Sequence, residues 1–181
     1  MFYQMSPKLL VAGLSMFWML TMTCHAEEMP NYLNALQGEI NNRAVAAYVV
    51  PALAKRMQGS SKGSFWAAYT SLERYQQPAY QAQQQRFRMS PSGFNRWFKG
   101  NASLLAAYFH HEWFVEKLAG ATSGYLQSLK AVSVPEEHKT FWDYVIAQEE
   151  VQVNAMKLAS EGRYRQAASL LNNFIESGPL K

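Results

Sequence analysis

The chain has 181 residues, 49% of them hydrophobic and 17% charged, with 17 basic side chains against 13 acidic ones and a single cysteine. A net charge of +4 is too mild to imply a nucleic-acid partner, and one cysteine excludes an internal disulfide framework. The length suits one domain with a sizeable core.

The first 26 residues read as a targeting segment. Lys8 supplies a positive start, Leu9 to Cys24 form an apolar stretch, and Cys24-His25-Ala26 ends in a small residue suited to cleavage before Glu27. The stretch is shorter than the roughly 20 apolar residues of a membrane span. A signal peptide over residues 1–26 and a periplasmic or secreted product are therefore expected. The alternative is an uncleaved anchor formed by residues 9–24. Lipidation at Cys24 is disfavoured, because Thr21-Met22-Thr23 lacks the usual leucine and small residues. Residues 27–181 would form one helical domain without cysteine, held by packing alone.

That domain is rich in alanine, leucine and glutamine, with helical periodicity and no alternating strand runs. A first helix is expected from Asn31 as N-cap to about Gln58, kinked at Pro51. Gly59-Ser60-Ser61-Lys62-Gly63 reads as a turn. The second helix follows over about 64–88, with Trp66, Tyr69, Glu73, Gln76 and Tyr80 on one side and a bend at Pro78. Met89 to Gly100 is the longest non-helical connection. A third helix is expected over about 101–130, with Gly120 and Gly124 permitting close approach of a neighbour. Ser133-Val134-Pro135-Glu136 reads as a capping box opening the fourth helix, which Gly162 ends. A fifth, shorter helix covers about 164–176. Its start, Gly162-Arg163-Tyr164-Arg165-Gln166-Ala167, resembles part of a tetratricopeptide repeat, but no second copy follows at the required period.

One glutamate lies near the middle of each of the first four helices: Glu39, Glu73, Glu116 and Glu149. Glu73 and Glu149 each carry a glutamine one turn later, Gln76 and Gln152, and Glu112 stands one turn before Glu116. These residues interrupt apolar stripes. Carboxylates are costly there unless they share a proton, a cation or a metal.

At these positions the chain resembles the ferritin-like superfamily, especially its bacterioferritin and rubrerythrin-type members. Their four helices carry Glu, Glu-x-x-His, Glu and Glu-x-x-His in turn. The resemblance spans the whole helical domain. It implies an all-α, ferritin-like four-helix bundle with a long central crossover and a short fifth helix. It also implies two metal ions, iron or manganese, held by Glu39, Glu73, Gln76, Glu116, Glu149 and Gln152, with Glu112 orienting a ligand or replacing Glu116. Both histidines of the pattern are glutamine here. An amide oxygen is a weaker donor than imidazole, and it can equally serve a metal-free polar layer. Arg43, one turn beyond Glu39, offers a carboxylate a partner that needs no metal.

Two other features stand out. His110-His111-Glu112 looks like a metal cluster, but adjacent helical residues point about 100° apart and cannot readily chelate one ion. Arg86, Arg88, Arg96 and Lys99 lie in an acid-free stretch with Phe87, Phe94, Trp97 and Phe98, suited to an anionic surface or an envelope protein. No nucleophile motif or phosphate-binding glycine loop occurs. The expected function is therefore that of an exported, non-enzymatic binding bundle with a degenerate metal site. The alternative is a carboxylate-bridged dimetal oxidase, peroxidase or metal-handling protein.

Overall fold

The computed structural model describes the backbone of residues 7–178, and the side chains of that span apart from 7–28, 94–99, 105 and 109. The expected signal peptide, its cleavage site and the anchor alternative lie outside the described side chains. Six α-helices and one 3-10 turn account for the fold, with no strand among the described residues. They are α1 (Pro7–Arg56), α2 (Ser61–Phe87), α3 (Gly93–Phe109), α4 (His111–Lys130), the 3-10 turn Glu136–His138, α5 (Lys139–Ser160) and α6 (Tyr164–Ser177). Among the described residues no helix is long and apolar enough to cross a membrane.

Helix α1 buries Tyr32, Leu36, Ile40, Val50 and Leu53, a spacing that keeps one stripe facing inward. Its turn into α2 is tight. The Ser60 hydroxyl accepts a hydrogen bond from the Gly63 N–H at 3.1 Å, capping α2. A Cβ on Gly63 would sit 2.1 Å from the Met57 carbonyl oxygen, so this turn closes only with glycine.

Two apolar clusters lie one above the other. One joins Val49, Val50 and Leu53 of α1 to Phe65–Leu72 of α2, Val115 of α4, Ala155–Ala159 of α5 and Tyr164–Leu171 of α6. The other joins Tyr32, Leu36 and Ile40 of α1 to Tyr80 of α2, Leu129 of α4 and Trp142–Val145 of α5. The order in which each helix visits the clusters gives its direction. Helices α1 and α5 run one way, α2 and α4 the other. Helix α3 returns alongside α1, with Ser92 near Asn41, Asn101 near Tyr48 and Tyr108 near Arg56. Helix α6 packs against both α2 and α5 and completes the first cluster.

Several expectations are corrected. Helix α1 does not begin at Asn31 but runs through Pro30. The crossover is largely helical, because α3 begins at Gly93. The expected third helix is two helices, broken at His110, whose backbone leaves the helical range (φ −142°, ψ 64°). The capping box does not form: a 3-10 turn precedes α5, and neither start has a side-chain cap. Gly120 and Gly124 face open space rather than a neighbouring helix. Close approach occurs instead at Gly100, where an added Cβ would lie 2.6 Å from the Tyr48 ring.

Candidate functional site

Between the two apolar clusters lies a polar layer centred on Arg43. Its Nη1 donates to Glu73 Oε1 at 2.8 Å and to Gln152 Oε1 at 3.1 Å, and its Nη2 donates to Glu149 Oε1 at 2.8 Å. Its Nε lies 3.8 Å from Glu39 Oε2. The guanidinium thus faces carboxylates from α1, α2 and α5. The planar fork of arginine suits this task, since it directs several N–H donors at fixed angles.

The layer extends through neutral donors. Gln76 Nε2 donates to Glu73 Oε2 at 2.8 Å, and Gln148 Nε2 donates to Glu149 Oε1 at 2.9 Å. The Tyr80 hydroxyl lies 2.7 Å from Glu39 Oε2 and 3.1 Å from Gln148 Oε1, and the Tyr69 hydroxyl donates to Gln152 Oε1. Glu39, Glu73, Gln76, Gln148, Glu149 and Gln152 are all buried. The arginine side chain itself is only 13% exposed.

Burial by itself would lower the affinity of Arg43 for its proton, but the Glu73, Glu149 and Glu39 carboxylates hold its pKa well above the ordinary value. Burial raises the Glu73 carboxyl despite its bonds to Arg43 and Gln76. The Glu149 carboxyl is pushed up to about 7, mainly by burial, with Glu39 and Glu73 adding to the effect against Arg43 and Gln148. Burial also pushes the Tyr69 and Tyr80 phenols upward, keeping them protonated as donors. Chemically, the layer sets three carboxylates against one guanidinium, with neutral amide and phenol donors supplying the remaining hydrogen bonds.

Of the residues expected to share one site, Glu39, Glu73, Gln76, Glu149 and Gln152 do come together. Glu112 and Glu116 do not. Both are exposed on α4, and Glu112 pairs instead with Lys62 across from α2. The break at His110 resets the rotation of α4, so the stripe drawn through Glu112 and Glu116 is not its inner face. Val115, Leu126 and Leu129 are the buried residues there, together with His111. The His111 Nε2 accepts from Trp66 Nε1 at 3.0 Å, so the lone pair needed for ligation is engaged. His110 is exposed, and His138 stacks on Tyr32 at the far end of the bundle.

Sequence reasoning missed Gln148, which lies beside Glu149 but off the stripe drawn for α5. Nor does it assign Tyr69 and Tyr80 a place in the polar layer. Their phenols could have been read as donors, because Tyr69, Glu73, Gln76 and Tyr80 recur at helical spacing on α2.

The residues present do not fit a two-metal centre. No carboxylate enters from α4, amides stand where imidazoles are needed, and a guanidinium lies among the three carboxylates. Among the described residues no three His, Cys, Asp or Glu side chains are grouped so as to hold a metal ion. Of the basic segment, Arg86 and Arg88 are exposed at the end of α2, with the Arg86 guanidinium 5.5 Å from the Phe87 ring centroid. Arg96, Trp97 and Lys99 lie outside the described side chains.

Arg43 lines two clefts. One of about 390 Å³ lies between α1 and α2 and includes Glu73, Gln76, Gln77, Tyr80 and Gln81. The other, of about 490 Å³, is bounded by α1, α2, α3, α4 and α5 and is mostly apolar. Comparison with protein-family models, with curated proteins and with solved structures returned no match.

Proposed function

We propose that this chain is a ferritin-like bundle in which an arginine has taken the place of the metals, and that it acts in the cell envelope by binding rather than by metal-centred catalysis. The observation that carries this reading is the Arg43 guanidinium, bonded at 2.8 Å to both Glu73 and Glu149. The direction of the helices supports the ancestry. Helices α1 and α2 run antiparallel, α3 serves as the crossover, and α4 and α5 run antiparallel again, which is the ferritin-like arrangement of a bundle with one long connection. On this reading Gln76 serves as a donor to the Glu73 carboxylate and Gln152 as an acceptor from Arg43 and Tyr69. The envelope-facing surface would be the segment containing Arg86, Arg88, Arg96, Trp97 and Lys99, offered to an anionic surface or a partner protein.

The test is metal analysis of protein purified without chelators and supplemented with iron or manganese. The expected result is less than about 0.2 metal per chain and an unchanged melting temperature, since a ligand that binds only the folded state must raise it. One or two metals per chain with a raised melting temperature would restore the dimetal reading. In a second arm, replacing Arg86, Arg88, Arg96 and Lys99 together with alanine should weaken association with anionic vesicles or envelope extracts while leaving the helical content intact. Unchanged association would remove this surface from the proposal.

A further inference from the structure

The cleft of about 490 Å³ has the size and lining of a small-molecule site. Val45, Val49, Val50, Trp66, Phe114 and Leu118 supply an apolar wall, and Arg43, Tyr69, Tyr125, Glu149 and Gln152 a polar end. Gln152 is fully buried, and its Oε1 accepts from both Arg43 and Tyr69. Those two bonds fix the orientation of the amide. They leave Nε2 buried without a hydrogen-bond partner. The Tyr125 hydroxyl is also buried and has the Glu39 carboxylate as its neighbour. A buried donor without an acceptor is costly, and a ligand that supplies the acceptor relieves that cost.

The charges around this end narrow the choice of head group. Glu39, Glu73 and Glu149 outnumber Arg43, which disfavours a carboxylate or phosphate entering without water. A cationic head is disfavoured in turn, because the Arg43 guanidinium lines the same cleft and already engages Glu149 Oε1. What is left without a hydrogen bond at this end is the Gln152 amide N–H and the Arg43 Nε–H. Both can donate to an uncharged oxygen.

We propose that this cleft binds an uncharged amphipathic molecule, with its apolar body against Val45, Val49, Trp66, Phe114 and Leu118 and a carbonyl oxygen accepting a hydrogen bond from Gln152 Nε2. The cleft and its lining do not depend on the metal question, so the two titrations fail or succeed separately.

Three probes with the same eight-carbon chain test the head group: octanamide, octanoate and octylamine, titrated calorimetrically into the intact protein at neutral pH. Octanamide should saturate one site and bind at least about tenfold more tightly than either charged analogue, a ratio worth about 1.4 kcal/mol. Equal binding of all three, tighter binding of a charged analogue, or no binding would overturn the proposal. Ala46→Phe, which fills the cleft from α1, should abolish octanamide binding while circular dichroism shows the helices retained. Gln152→Leu should reduce the preference for octanamide to under about threefold if its hydrogen bond selects the head group. Should that variant not fold, the probe series and Ala46→Phe still decide the matter: octanamide binding undiminished in Ala46→Phe places the ligand elsewhere.

Discussion

At the residue scale the chain turns on Arg43, because three buried carboxylates depend on one cation. Removing one partner of a buried ion pair typically costs about 3–5 kcal/mol, much of it the cost of leaving charge unpaired. Arg43→Met should therefore destabilise the protein by about that amount near pH 8, measured by urea unfolding, and by less near pH 5, where the carboxyls can take up protons. Glu149 supplies a second test. Its folded-state pKa is raised from 4.5 to about 7 by burial, Glu39 and Glu73, so the folded chain holds a proton that the unfolded chain has released. Stability from this group is complete below the unfolded value and falls as pH rises through about 7, because the folded state then binds more protons than the unfolded one. The shift at Glu73 has the same sign. Melting temperature should thus decline from about pH 5 to pH 8, and Glu149→Gln should flatten that slope. A slope unchanged in the variant would mean that Glu149 does not carry the titration.

At the scale of elements, the two departures with most consequence are the break at His110 and the placement of α6. The break lets α3 run back along α1 and α4 start with a new rotation. That rotation turns Glu112 and Glu116 outward, where Glu112 finds Lys62. Replacing Glu116 with glutamine should then change stability by less than about 0.5 kcal/mol, as for an ordinary surface position, whereas an inward ligand would cost far more. Helix α6, short as it is, buries Tyr164, Ala167, Ala168 and Leu171 between α2 and α5. Leu171→Ala should cost about 2–5 kcal/mol in denaturant unfolding, the range for a buried leucine in a packed core. A loss of under about 0.5 kcal/mol would mark α6 as an appendage.

At the scale of the whole molecule, a polar layer divides two apolar clusters that the same helices cross. Each of α1, α2 and α5 contributes to both clusters and to the layer between them. The middle of α2 and α5 should consequently show the slowest amide hydrogen exchange, with α3 exchanging faster because among its described residues only Ala107 is buried in a cluster. Fast exchange at Glu73 or Glu149 would show that the layer opens independently of the clusters.

The all-helical class, the mid-helix carboxylates and the pairing of Glu73 with Gln76 were legible from the order of residues, because helical period and local spacing are properties of the chain itself. Even the Arg43–Glu39 proximity follows from one helical turn. Which cation the carboxylates would face was not legible. The sequence allowed a proton, a metal or an arginine, and the choice depends on three helices meeting at one height. Nor was the rotation of α4, since a single residue leaving helical geometry at His110 turns every later side chain without leaving a strong mark in composition. Local periodicity determined the helical class and the inward polar positions of α1, α2 and α5. Tertiary packing decided that Arg43 stands among Glu39, Glu73 and Glu149, because only assembly fixes the relative height and rotation of neighbouring helices.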